Sequence, residues 1–136
     1  MPWDSTTNNG FSAGDPWIGA ESRRPEETVA GQQADPDAPV YRYRDLLAVR
    51  RRHPDMWRAP LEWIETPDPR VAALRRGTIA VIANLSDRRT SVRLGSPGWE
   101  PVFASQPGCR LDGAAHDTVS VPAETTVVLS SNHRQP

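Results

Sequence analysis

Thr78-Ile79-Ala80-Val81-Ile82-Ala83-Asn84-Leu85 is an apolar, β-branched run bounded by Arg76-Gly77 on one side and Ser86-Asp87 on the other. Side chains of this type, closed off by turn residues, predict a β-strand. The same texture repeats on either side of it. Residues 90–94, 100–104, 118–121 and 125–130 read as strands downstream, and 61–65 and 71–75 read as strands upstream. Pro67-Asp68 and Ser96-Pro97-Gly98 supply further turns. Short strands at this spacing predict an antiparallel β-sandwich over residues 55–131. There is no internal repeat, and residues 132–136 are expected to fray as a disordered tail.

Before Pro60 the texture differs. Val40, Tyr43, Leu46, Leu47 and Val49 form an apolar stripe at helical spacing, which predicts a helix over 37–53. Asp35 or Asp37 is placed to cap its start, with Pro36 or Pro39 tolerated in the first turn. Arg50, Arg51 and Arg52 close it, where cations suit the negative end of the helix dipole, and Pro54 stops it. The arginine run is read as a solvated helix end in preference to a binding patch. Residues 1–36 are rich in Gly, Pro, Asn, Ser and Asp, yet carry Trp3, Phe11 and Trp17. Disordered tails are poor in aromatics, and long irregular loops in compact proteins tend to be functional. An ordered loop that packs on something larger is therefore expected. A lone amphipathic helix behind such a loop looks like the end of another domain.

The bulk numbers exclude more than they assign. A chain of 136 residues fits one domain, or one domain with part of another. A net charge of −1 gives no argument for nucleic acid, an anionic membrane or an acidic partner. Cys109 is the single cysteine, so there is neither an internal disulfide nor a Cys-x-x-Cys site. No apolar run has the length of a membrane span, and no basic segment with an apolar run opens the chain. The cytoplasm of a bacterium is the expected setting. His53, His116 and His133 show no metal-ligand spacing, and neither metal nor cofactor is expected.

Met1-Pro2-Trp3-Asp4, then Asn9-Gly10-Phe11-Ser12, then Pro16-Trp17 stand in an order that has a parallel. So do Val29, Gln32, Asp35-Pro36-Asp37, Tyr43-Arg44-x-Leu46-Leu47-x-x-Arg50, His53-Pro54 and the strand 79–86. Together they resemble the C-terminal portion of the α-glucosidases of glycoside hydrolase family 13. In that family the loop pattern is Arg-x-Pro-Met-x-Trp-Asp, then Gly-Phe, then Pro-Trp. The resemblance covers nearly the whole chain. It implies that residues 1–54 are the last loop (1–36) and helix (37–53) of an incomplete (β/α)8 barrel. Residues 55–131 would be the antiparallel sandwich beside it, making the whole chain mainly β. Active sites of such barrels are built from the βα loops, so residues 1–36 would be the part near sugar. Trp3, Asp4 and Phe11 are the candidates to line it.

The resemblance also implies what is missing. Retaining glycosidases need a carboxylate nucleophile and a carboxylic acid about 5 Å apart. In the family these, with a third Asp, come from middle barrel strands upstream of the matched region, so no catalytic residue is expected here. The family's Arg before Pro-Met would also precede Met1. An internal Met taken as a start codon, or a truncated gene, would give this alignment.

Each candidate also has a plainer reading. Asp4 either faces sugar or braces the loop, and bracing is favoured. Trp3, Phe11 and Trp17 either stack on sugar or anchor the loop, and anchoring is favoured. Trp63, on a strand, is expected in the core; a sugar-binding module would need Trp57, Trp63 or Trp99 exposed. His116-Asp117 is read as a turn, and Cys109 beside Arg110 as a bland small residue in preference to a lowered-pKa thiol. Asn84-Leu85-Ser86 is a formal glycosylation sequon, discounted on a strand end.

The parent enzyme implied is an α-glucosidase that hydrolyses short α-glucosides by double displacement. Trehalose synthase, sucrose isomerase and oligo-1,6-glucosidase share the loop pattern, and their discriminating loops lie upstream. The alternatives are a stand-alone carbohydrate-binding or interaction module, or a non-functional remnant. The expected partner is an α-glucoside sugar in the full-length parent, with no nucleic acid or membrane. The helix stripe would lack a barrel to cover it. At ~25 cal/mol per Å2 of apolar surface left wet, that amounts to several kcal/mol and predicts self-association.

Overall fold

The computed structural model describes residues 2–21, 23–113 and 116–131. The expected fraying of residues 132–136, and the candidate residues Met1 and His133, lie outside the described residues. The apolar run 78–85 contains strand β3 (Ile79–Asn84). It pairs antiparallel with β2 (Val71–Arg76) on one side and with β8 (Thr125–Ser131) on the other. A strand flanked on both sides and covered on both faces needs apolar residues nearly throughout, and this explains the unbroken run.

Beyond β8 lies β5 (Trp99–Ala104), and beyond β2 lies β1 (Glu62–Trp63), giving the order β1-β2-β3-β8-β5. A second sheet has β7 (Thr118–Val121) between β4 (Thr90–Arg93) and β6 (Arg110–Asp112). Every pairing is antiparallel. The fold class is thus the expected one: mainly β, antiparallel, with no closed barrel among the described residues. The short strand β6 was not foreseen.

Two units divide the chain, Met1–Asp45 and Leu46–Pro136. In the second, the core between the sheets holds Val71, Ala73, Ala80, Ile82, Val127 and Leu129 from one sheet, Val92, Val119 and Val121 from the other, and Trp99. The opposite face of the large sheet carries Ile79 and Val128, which cluster with Val49, Met56 and Phe103. Burying each large side chain here contributes about 1.5–3 kcal/mol. Trp99 is fully buried, with its indole N–H donating to Ser96 Oγ at 3.2 Å. Trp63 is not in the core. β1 is a two-residue edge strand, and Trp63 stands 70% exposed on it.

Polar side chains lock the connections. Asn84 is fully buried at the end of β3. Its amide nitrogen lies within hydrogen-bond distance of the carbonyls of Arg88 (2.8 Å), Pro122 (2.7 Å) and Val121 (3.3 Å). Its Oδ1 accepts from the amide and the hydroxyl of Ser86 at 3.0 and 2.7 Å. The sequon asparagine therefore ties the large sheet to the end of β7 and offers no surface to a glycan. At the β2–β3 turn, Asp55 Oδ2 accepts from Thr78 N (2.9 Å) and Thr78 Oγ1 (2.7 Å). Arg76 donates to the carbonyls of Ala59 and Met56, so helix α3 (Asp55–Arg58) is held to the sheet.

The long helix is α2 (Pro39–Arg52). Its start is not capped as expected. Val40 N donates to Gln32 Oε1 at 3.1 Å, while Asp35 Oδ1 accepts from Asp37 N. Of its apolar stripe only Val49 is buried; Tyr43 is 72% exposed, and Leu46 and Leu47 are exposed too. In the first unit, 3-10 turns at Thr7–Gly10 and Pro25–Glu27 precede helix α1 (Val29–Gln32). Thr28 is buried and caps α1, with Oγ1 accepting from Gly31 N at 3.0 Å.

Candidate functional site

The candidate loop is built from its backbone outward. Asn8, Asn9 and Gly10 all take the left-handed conformation, at φ 56, 54 and 69°. Asn and Gly are the residue types that tolerate it. The reversal brings Asn9 O to accept from Trp3 N (2.8 Å) and Asp4 N (3.3 Å). Pro2 O and Trp3 O accept from Val29 N and Ala30 N, which pins the beginning of the loop to α1. Asn8 Nδ2 donates to the carbonyls of Ser12 and Gly14, and Asn9 Nδ2 to that of Glu21. Irregular backbone thus has its polar groups satisfied internally, as an ordered loop requires.

Asp4 sits at the centre of this bracing. Its Oδ1 accepts from Thr6 Oγ1 at 2.5 Å and from Thr6 N at 2.8 Å. These two hydrogen bonds, the hydroxyl first, hold the carboxyl below its ordinary value. At neutral pH it is a carboxylate, an acceptor for a hydroxyl group and unsuited to act as an acid. A Cβ on Gly10 would stand 2.6 Å from Asp4 Oδ1, so the absence of a side chain at Gly10 lets the carboxylate fold in.

Asp4, Thr6, Gly10 and Phe11 share the wall of an open concavity of about 540 Å3. Phe11 also lines a neighbouring one of about 390 Å3, with Asn8, Pro16 and Ile18. Trp3 lines neither. Phe11, Trp17 and Ile18 are 73%, 98% and 76% exposed, so this chain's own described residues leave the aromatics unanchored. Asn8, Thr28 and Gly31 are structural parts of the site that the sequence reading passed over, and Asn9 and Gly10 were read there only as part of the family pattern. Asn-Asn-Gly was their signal, together with a Thr ahead of Val29.

Among the described residues, the other flagged side chains gather into no second site. Cys109 is half-buried, and burial pushes its thiol up, outweighing the opposite pull of Arg89. The thiol is not lowered, in keeping with the reading of Cys109 as a bland small residue. His116 lies in a turn at positive φ. No cluster of three His, Cys, Asp or Glu side chains fit for a metal occurs among the described residues. Trp57 is half-exposed. No helix among the described residues is long and apolar enough to cross a membrane.

No family model matches the chain. Individual proteins do. It is 33% identical over 90 residues to the glucan 1,6-α-glucosidase of Streptococcus pneumoniae, a match covering 64% of this chain and 17% of that protein. It is 35% identical over 95 residues to the trehalose-6-phosphate hydrolase of Escherichia coli, covering 63% of this chain and 16% of that protein. The fold matches a trehalulose synthase variant in complex with the substrate sucrose, at a TM-score of 0.77 and 23% identity, over 96% of this chain and 24% of that one. The chain thus spans less than a fifth of the length of these two curated relatives.

Proposed function

From a chain homologous to the C-terminal part of the family 13 α-glucosidases, we propose a role as one rim of a sugar site joined to a stabilising β domain. Residues 1–54 are assigned to the last loop and helix of a catalytic barrel and 55–131 to the C-terminal sandwich. The parent activity is hydrolysis of short α-glucosides, and a sugar of that class is the proposed ligand. Trp3, Asp4 and Phe11 face it: Asp4 as a fixed, ionised acceptor for a sugar hydroxyl, the aromatics as apolar faces. The observation that carries this reading is the braced Asp4–Gly10 loop in a chain whose relatives are α-glucosidases.

The isolated chain is proposed to be inactive. Double displacement needs a nucleophile and an acid flanking one bond. Asp4, held by Thr6 below its usual range, is not a proton donor at neutral pH. The exposed Tyr43, Leu46 and Leu47 support self-association of the chain on its own. The proposed setting is a bacterial cytoplasm; the relatives are bacterial proteins, and Cys109 is a free thiol.

Sequencing the DNA upstream of the Met1 codon tests the assignment. An open frame continuing in phase, with carboxylate motifs farther back, supports it. A stop codon and ribosome-binding site directly upstream would overturn the enzymatic reading. The binding-module alternative loses Trp99, which is buried, and retains the exposed Trp57 and Trp63.

A further inference from the structure

Leu47, Arg50, Arg51 and Trp57 line an open groove of about 370 Å3 at the C-terminal end of α2. Its floor is apolar: Leu47 and Trp57 are 44% and 42% exposed. Its rim is cationic. Arg50 and Arg51 are exposed and enter none of the ion pairs found among the described residues. A purely apolar occupant would leave both guanidinium groups uncompensated, so the groove fits a segment that joins carboxylates to apolar residues.

The chain carries such a segment. Residues 1–45 hold eight acidic and four arginine side chains, a net of −4, and residues 46–136 hold nine acidic and twelve arginine side chains, a net of +3. The near-neutral total conceals two halves of opposite sign. Within the negative half, Asp35-Pro36-Asp37-Ala38-Pro39 alternates carboxylates with small apolar residues; Asp35 and Asp37 are exposed, and the one ion pair of Asp37, with Arg42 at 2.9 Å, is itself at the surface.

We propose that the groove docks the acidic stretch 35–39 of a second copy of this chain. This rests on the self-association reading above and adds to it a register: unlike surfaces meet, head to tail. Arg50 and Arg51 of one copy face Asp35 and Asp37 of the next, over a contact between Leu47, Trp57 and the prolines. The pair keeps one free groove on one copy and one free acidic stretch on the other, so the contact propagates unless it closes into a ring.

Sedimentation velocity on the full chain, across concentration and salt, tests this. Because the contact is charge-guided and exposed, raising NaCl from about 50 mM to about 500 mM weakens association at least about ten-fold. The Arg50→Glu/Arg51→Glu variant and the Asp35→Arg/Asp37→Arg variant each sediment as monomers alone. Mixed, they associate again, in alternation. The salt series uses the unaltered chain, so it stands whether or not a variant folds. Association that persists in high salt and in both variants overturns the proposal and leaves an apolar pairing of α2 faces. A chain that stays monomeric at every concentration and salt overturns the proposal and the self-association reading together.

Discussion

Replacing Asn84 by Ala removes the side chain that joins the two sheets without altering either hydrophobic face. The amide nitrogen reaches the carbonyls of Arg88, Pro122 and Val121, and the amide oxygen serves both the backbone and the hydroxyl of Ser86. Asn84 is fully buried, so water cannot take its place without opening the structure. Each buried polar group left unmatched costs about 1–3 kcal/mol. Ser86 Oγ retains a 3.0 Å hydrogen bond to Arg88 O, which offsets part of the loss. The expected net destabilisation is about 3–5 kcal/mol, a large share of the ~5–15 kcal/mol that holds a domain folded. Urea unfolding followed by far-UV circular dichroism measures it. With a slope of about 1–2 kcal/mol per M, the midpoint falls by about 1.5 M or more. A double-mutant cycle with Ser86→Ala isolates the pair, with a coupling of about 0.5–3 kcal/mol expected. A total loss under about 1 kcal/mol would mean that the carbonyls find other donors, and the view of Asn84 as the inter-sheet tie would be wrong.

Four further outcomes are expected. Trp99→Ala empties the largest fully buried site and costs about 3–5 kcal/mol, read as a lowered melting temperature; a shift of a degree or less would place Trp99 outside the core. Gly10→Ala must adopt φ +69° and push a methyl group at Asp4. It costs about 1–2 kcal/mol for the conformation alone and should abolish amide-exchange protection at Thr6 N–H; unchanged protection would refute the clamp. Asp68, held by hydrogen bonds from Arg70 first and also by Arg88, has its carboxyl lowered to about 2. Because the folded value is depressed, its contribution is complete above the ordinary carboxylate range and is lost as pH falls toward about 2; a carbon-detected NMR midpoint near the ordinary aspartate value would show that the ion pairs do not form. Cys109, raised by burial, should alkylate with iodoacetamide at pH 7.5 more slowly than a free thiol, and an equal rate would contradict that environment.

The strands were legible where packing demands a sequence signal. β3 is covered on both faces and spelled out in Ile, Ala and Val, and β7 forms over 118–121 as read. β6 was illegible because a three-residue strand has room for one apolar side chain, Leu111, and its existence depends on pairing with Val119. Pro54 was read only as a stop. In the structure it ends α2 and stands at the N-cap of α3, since a proline is as compatible with a helix start as with a helix end. Trp63 misled because burial follows a strand's place in the sheet, and β1 is an edge of two residues. At the candidate site, the Asn9-Gly10-Phe11 signature stood out. Asp4's partner Thr6 did not, because a two-residue side-chain contact carries no periodicity. The bracing role favoured for Asp4 agrees with its hydrogen bonds, while no anchor for Phe11 and Trp17 lies among the described residues.

The loop that holds Asp4 owes its shape to neighbours in its own sequence: Asn8, Asn9 and Gly10 reverse it, Thr6 fixes the carboxylate, and Val29 and Ala30 moor its beginning. Such a segment is a cassette. Its described residues hold one another through their own hydrogen bonds, so grafting can move the loop as a unit. Its exposed faces at Phe11 and Trp17 are free to vary without disturbing the frame that presents them. Change at those exposed positions is then an exchange of decorations on a shape already made, and the asparagines and glycine beneath are where substitution should be least tolerated.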